Sequence, residues 1–530
     1  MAKRERVTLE DIAQKAGVSV PTVSQALSGK GRISQATKER IFHVVEELAY
    51  HPDPAAQSLA RRRADEVESR PARRRNRKSM KQVNFLEYVS NHELPLALQI
   101  EVQQRDEEGY DVNGLRLEPK TIHSLSRSNL YKLFRQLLDA PLREEYPYQE
   151  PGALEEIHIA RPEGRRESEL VITPTELYDR IYGGWLARVA GCVLGKPIEA
   201  GWPKNKVIHY LKLAHSYPLT NYIPRLLPLP AEFDLNPEPD GTFLGEIHGA
   251  PHDDDTDYTF LALHLLETYG LDFTTTQVAT EWVTHLTYFR TYTAERVAYR
   301  NLICSIPPEE AAEYANPVRE FIGGRIRADM YGFVSPGKPE LAATLAYKDA
   351  TLSHTKNGVY GAMLWAAMIA WAFVSKDVEE IIQVGLSEIP RNCRLAEAVQ
   401  DTLTIYREVE NWEVAYDRLL LKYGEYHPAH TINNTIWCLL ALLYGKNDLT
   451  QSLGIAAVCG MDTDCNCASV GGVLGVMLGA AVLPELWTAP LQDTLYTAVS
   501  QFRELHISDL AQRTAIIAEK VLTQRSSTKE

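Results

Sequence analysis

Cysteine is scarce in this sequence: seven residues in 530, an odd number, with none before Cys192. That pattern excludes a small disulfide-framed secreted fold. The first residues also lack a charged-then-apolar leader, so a reduced, cytoplasmic protein is expected. Long apolar runs are equally rare. Asn357–Ser375 and Cys465–Pro484 stay uncharged for the length of a bilayer span. Both are rich in Gly and Ala and follow directly on polar, motif-like residues, so buried helices of a large core are expected and no membrane contact. Apolar residues at 45% and charged residues at 24% exclude a largely disordered or collagen-like chain. A length of 530 residues exceeds one ordinary core.

Acidic residues are in the minority only at the start. Residues 1–81 carry 18 Lys+Arg against 10 Asp+Glu, a net +8, and the remainder carries 38 against 60, a net −22. A basic head on an acidic body meets a polyanion through the head alone, which makes nucleic acid the first candidate partner.

Residues 7–50 have the pattern of three short helices. Leu9, Ile12, Ala13 and Ala16 form one apolar stripe, and Gly17-Val18-Ser19 turns the chain. Ser19 can cap a second helix with Pro21 in its first turn and Val23, Ala26 and Leu27 facing inward. Ser34 can cap a third, whose Ile41, Val44, Val45 and Leu48 complete a small core. This is a helix-turn-helix pattern; a plain protein-binding bundle would leave the basic excess unexplained. Val7-Thr8-Leu9-Glu10-Asp11-Ile12-Ala13, Ala16-Gly17-Val18-Ser19 and Thr22-Val23-Ser24 resemble the DNA-binding domain of the lactose-repressor (LacI-type) family, and Tyr50 to Ala60 resembles its hinge helix. The resemblance implies double-stranded operator DNA as partner and a homodimer reading paired half-sites. It places Val20, Pro21 and Gln25 against major-groove base edges, Thr8, Ser19, Thr22 and Ser24 on phosphates, and Leu59 in the minor groove. Gln can pair bidentately with adenine, whereas Val and Pro offer apolar contact only.

Arg61–Lys81, with ten basic and three acidic residues, is expected to be a flexible tether, either adding phosphate contacts or merely solvated. Residues 82–170 suggest a small α+β connector of no assigned role, with a strand over Ala97–Gln103 and a helix over Ser126–Asp139 stopped by Pro141. The repeated βα units of a sugar-binding effector domain are absent.

The body begins near Thr173, and its chemistry lies in four separated segments. Asp179 to Glu199 carries Gly183, Gly184, Gly191 and Gly195 along a helix-like stretch, implying close helix contact or a backbone approached by a ligand. His252-Asp253-Asp254-Asp255-Thr256-Asp257, Ser353-His354-Thr355-Lys356-Asn357-Gly358 and Gly460-Met461-Asp462-Thr463-Asp464-Cys465-Asn466 each open an apolar helix. One Asp before a helix is ordinarily an N-cap, but three in a row exceed any cap's needs. Two acidic clusters entering an apolar interior would repel and take up protons unless compensated. One or two divalent cations supply that compensation, and carboxylate with hydroxyl ligands suits Mg²⁺, Mn²⁺ or Ca²⁺. The nearby cysteines read as small buried apolar groups, and Trp365, Trp371 and Trp437 as core.

These segments resemble the ADP-ribosylglycohydrolase family over about 350 residues, an all-α fold with a two-Mg²⁺ site. The resemblance places metal ligands at Asp253, Asp254, Asp255, Asp462, Asp464 and Cys465. It also places a carboxylate over the metals at Glu199, the expected proton-transfer group, with Asp254 or Asp255 as the other catalytic candidates. Cys192 stands where the family has Asp, and Cys465 where it has a hydroxyl. His354, Asn357, Asn433 and Asn434 are pocket candidates for a ribosylated small molecule or ADP-ribosyl group; for His354 a satisfied structural role is equally open. The expected architecture is mainly α: a three-helix helix-turn-helix with hinge helix over 5–60, a linker over 61–81, the connector over 82–170, a large all-α domain over 171–522 and a disordered tail over 523–530. The expected function is a transcriptional regulator that binds or hydrolyses a ribosylated ligand. A non-catalytic sensor and a hydrolase merely localised by DNA are the alternatives.

Overall fold

Gly17 ends the first helix, Leu9–Ala16, by adopting a left-handed φ of +63°. That conformation lets the Gly17 and Val18 amides reach back to the Gln14 and Ala13 carbonyls, at 3.3 and 3.0 Å. The computed structural model describes residues 9–18, 22–23, 37–38, 40–41, 43–44, 93–199, 201–235 and 241–523. It divides into two units, 1–84 and 85–530. In the first, Ala13, Ala16, Val23, Ile41 and Val44 are buried, in keeping with the apolar positions expected for a three-helix core. Thr22 is helical and half-buried. Thr8, Ser19, Val20, Pro21, Ser24, Gln25 and Leu59, the hinge helix, the basic linker and residues 524–530 lie outside the described residues.

The second unit is mainly helical. Residues 97–103, expected as a strand, lie inside the helix Glu93–Glu107. The reason is the spacing of Leu94, Leu98 and Val102, four apart, which puts all three on one helical face. That face packs on Leu130, Leu133 and Leu137 of the helix Arg127–Asp139 and on Tyr314, each fully buried Leu adding roughly 1.5–3 kcal/mol. Ser126 caps the second of these helices by accepting from the Asn129 amide at 3.4 Å, and Pro141 follows its end, as the sequence suggests. Between residues 93 and 170 the β pairing recorded is one isolated bridge, Tyr110 with Leu142.

Arginines tie this segment to the rest of the unit. Arg319 pairs with Glu101 at 2.7 Å and Glu108 at 2.8 Å. Arg394 grips Glu150 through Nη2–Oε2 at 2.7 Å and Nε–Oε1 at 2.9 Å, and also pairs with Glu320 at 2.7 Å.

Four apolar helices form the centre: Pro174–Gly195, Lys356–Ala372, Thr431–Tyr444 and Thr463–Leu478. The second and fourth contain most of the two uncharged stretches, and both are buried nearly end to end. Among the described residues no helix is long and apolar enough to cross a membrane. Trp365, Trp371 and Trp437 are core. A two-stranded antiparallel ribbon, Thr494–Tyr496 with Glu504–His506, lies near the C-terminal helix Ile507–Thr523.

The first and fourth central helices are the most closely apposed pair, and glycine permits it. A Cβ on Gly195 would run into the Asp464 amide, and one on Gly475 into the Gly183 carbonyl. Contact this close seats the end of the first helix against the start of the fourth, and Thr463 Oγ1 closes the joint by donating to the Gly195 carbonyl at 2.8 Å.

Candidate functional site

The helix Asp254–Tyr269 begins after Asp253, whose backbone is extended and whose Oδ1 accepts from the Asp255 amide at 3.0 Å. The N-cap reading therefore accounts for one of the three aspartates. Asp253 Oδ2 is ion-paired with Lys196 Nζ, which follows the Gly-rich helix. Burial raises the Asp253 carboxyl, but Lys196 outweighs it and leaves the group below its ordinary range. Asp255 is fully buried, facing Arg188 Nη2 at 3.3 Å and accepting from Cys465 Sγ at 3.0 Å. Burial still pushes its carboxyl up to about 7. Asp254 is half-buried; desolvation, then Asp253, Asp255 and Glu199, hold it well above the carboxylate range.

The second acidic element enters from a reversed turn. Gly460 and Met461 take left-handed φ values of +76° and +67° before the helix Thr463–Leu478 starts. Glu199 comes from the turn after the Gly-rich helix, brought here by the Gly195 contact. The ligand atoms of Glu199, Asp462 and Asp464 lie within 4.8 Å of one another, and so do those of Asp255, Asp464 and Cys465, and those of Asp253, Asp254 and Asp255. Shared members make the three groups one continuous cluster across more than 200 residues of sequence. Burial pushes Glu199 up to about 8, with Asp462 and Asp253 adding to the shift. Asp464 is raised well above its ordinary value by burial and then by Glu199 and Asp253. Asp462 is raised as well, and its buried Oδ1 has no hydrogen-bond partner.

Charge decides what this cluster can hold. Six carboxylates (Glu199, Asp253, Asp254, Asp255, Asp462 and Asp464) face two cations, Lys196 and Arg188, and Arg188 is shared with Asp329 at 2.9 Å. Carboxylates therefore outnumber the paired cations in this cluster. At neutral pH such an excess is met by bound protons or by cations. The orphaned Asp462 oxygen and the oxygen-rich donor set fit a hard ion. Cys465 and Cys192 are neutral thiols, both pushed well up by burial first.

His354, Asn357 and Asn433 have protein partners. His354 Nε2 accepts from the Gly324 amide at 3.2 Å while Nδ1 meets Ser353 Oγ at 2.8 Å, and burial keeps the ring neutral. Asn357 Nδ2 donates to Glu150 at 2.7 Å and Glu320 at 2.9 Å, and its Oδ1 accepts from the Leu395 amide at 3.0 Å. Asn433 Nδ2 donates to the His427 carbonyl at 3.1 Å. Asn434 reaches the cluster's edge: its Oδ1 accepts from Asn466 Nδ2 at 2.7 Å, next to Cys465. Sequence reasoning passed over Lys196, Arg188 and Asp329. The available signal was Arg188, a lone charge in the apolar run Gly183–Gly195.

A mainly helical body that brings two acidic helix starts together into one carboxylate cluster defines the class. Residues 173–525 match the family model ADP-ribosylglycohydrolase, well over half of the chain, and the chain belongs to that family. Residues 8–53 match the model Bacterial regulatory proteins, lacI family, so the chain also carries a LacI-type helix-turn-helix DNA-binding domain. Similar proteins include the maltose regulon regulatory protein MalI of Escherichia coli (strain K12), 51% identical over 59 residues, 11% of this chain and 17% of that protein. The HTH-type transcriptional regulator AscG of the same organism is 49% identical over 53 residues, 10% of this chain and 16% of AscG. The chain thus spans under a fifth of the length of these curated relatives. A solved structure titled "ADP-ribosylglycohydrolase-related protein complex" is 16% identical, with a TM-score of 0.43, covering 66% of this chain and 100% of that one.

Proposed function

We propose that this chain is a cytoplasmic, homodimeric transcription regulator. Its LacI-type domain reads operator DNA, and its body binds a ribosylated ligand at a two-Mg²⁺ site and hydrolyses the glycosidic bond. The observation that carries this reading is the convergence of Asp255, Asp464 and Cys465 with Glu199 and Asp462. Asp254, Asp255, Asp462 and Asp464, flanked by Asp253 and Glu199, would hold the ions. Bound there, divalent ions supply Lewis acidity and a template for oxygen ligands. The chain's own residues supply the rest. Arg188 and Lys196 fix the positions of Asp255 and Asp253 beside the other carboxylates. Glu199, half-buried beside Asp462 and Asp464, would take the proton of the attacking water at its carboxylate and return it to the departing group. Water then adds to the anomeric carbon as the glycosidic bond breaks.

Dimerisation follows from the reading of paired half-sites, which requires two heads at fixed spacing. The seven cysteines are unpaired, as a reducing compartment requires. The neutral thiols of Cys192 and Cys465 favour a second reading, a sensor that binds the ligand without turning it over. One experiment separates the two. Release of ADP-ribose from an ADP-ribosylated substrate with Mg²⁺, abolished in Glu199→Gln, supports the hydrolase. Saturable ADP-ribose binding that shifts DNA affinity without product supports the sensor, and the absence of both product and binding refutes both readings. Linkage requires DNA to change ligand affinity by the same factor.

A further inference from the structure

A second cluster of ligand-type side chains lies on the far turns of the helix that opens with the aspartates. His264, on Asp254–Tyr269, faces Glu281 and His285, four residues apart on one face of the helix Thr275–His285. His264 Nδ1 is 2.7 Å from Glu281 Oε2, His285 Nε2 is 3.6 Å from the same oxygen, and one donor atom from each residue lies within 4.8 Å of the others. From this donor set we propose a zinc site, independent of the acidic cluster.

Two imidazoles and one carboxylate suit a borderline transition ion, with bonds of about 2.0–2.1 Å that set tetrahedral donors roughly 3.3 Å apart. The observed 2.7 and 3.6 Å bracket that spacing. His285 supplies the independent observation. It is 8% exposed, its Nδ1 is buried without a hydrogen-bond partner, and its Nε2 stands beyond hydrogen-bond range of Glu281. A metal bond at Nε2, the nitrogen that faces Glu281, would give that atom the partner the protein does not supply. His264 keeps 22% of its side chain exposed, which leaves an entry path and a fourth position for water. Phe502 packs on both rings, at centroid distances of 5.2 and 5.9 Å. The Ser500 amide donates to the His285 carbonyl at 2.8 Å, and the Ala498 amide to the Asp257 carboxylate at 3.1 Å. Zinc would therefore staple the aspartate-bearing helix to its neighbour and to the segment around Phe502.

The test is zinc content of the full-length chain after loading with Zn²⁺ and dialysis against buffer containing excess Mg²⁺, measured by mass spectrometry. The expected result is one zinc per chain in the native protein and in Asp464→Asn, with at least tenfold loss in His264→Gln and His285→Gln. Phe502→Leu, which touches both rings and offers no ligand, keeps its zinc. Visible Co²⁺ bands of a tetrahedral site in the native protein give a readout independent of how the variants fold. A native chain that retains no zinc and shows no such bands overturns the proposal. So does zinc lost in Asp464→Asn but kept in the histidine variants, or lost equally in Phe502→Leu.

Discussion

Cys465 Sγ donates to Asp255 Oδ2 across 3.0 Å, joining residues 210 positions apart. The contact ties the start of one acidic helix to the start of the other with a weak donor. A hydroxyl at this position donates better and is a harder ligand. Cys465→Ser is therefore expected to tighten Mg²⁺ binding by about 1 kcal/mol, the scale of one hydrogen bond. Isothermal titration of the two proteins checks it.

Acidity of the cluster sets a pH dependence whose sign can be worked out. Asp255, Asp257 and Glu199 have folded values near 7, 8 and 8, each raised first by burial. The folded state therefore binds more protons than the unfolded state between about pH 4 and pH 8, so this contribution to stability is full below that window and lost as pH rises through it. Metal-free protein should melt at progressively lower temperature from pH 5 to pH 8, while the stabilisation given by Mg²⁺ grows over the same range. Thermal melts with and without Mg²⁺ measure both.

Gly195 is the hinge of the geometry because a side chain there collides with the Asp464 amide. Gly195→Ala is expected to destabilise the fold by roughly 1–3 kcal/mol through overpacking. It should also weaken metal binding by pushing Asp464 away from Glu199. Denaturant titration and metal titration of one variant read the two effects.

Much of this site was legible in the chain because its signals are local. Asp253–Asp255 and Asp462–Asp464 each sit directly before an apolar run, and an apolar run that follows clustered carboxylates marks a buried helix start. The glycines of Pro174–Gly195 announced a close approach without naming the partner. Arg188 and Lys196 escaped notice because their roles exist only once helices distant in sequence meet. The strand expected over 97–103 failed for a different reason: its alternation is short, and the longer period of Leu94, Leu98 and Val102 prevails once Leu130, Leu133 and Leu137 offer a surface to pack against.

Arg394 clamps Glu150 to Glu320 in a site where all three side chains are at most 5% exposed. Removing the cation strands two buried carboxylates, a change that costs about 3–5 kcal/mol. Arg394→Ala should show a loss of that size in denaturant unfolding of the 85–530 unit, and Arg394→Lys, which keeps the charge but not the fork, an intermediate one.

Calorimetric titration of full-length protein with Mn²⁺ tests the central claim most directly, because it counts ions at the cluster. About two ions per chain are expected in the native protein, with at least a tenfold weaker affinity in both Asp464→Asn and Asp255→Asn. Absence of saturable binding, or binding unchanged in both variants, would contradict the account.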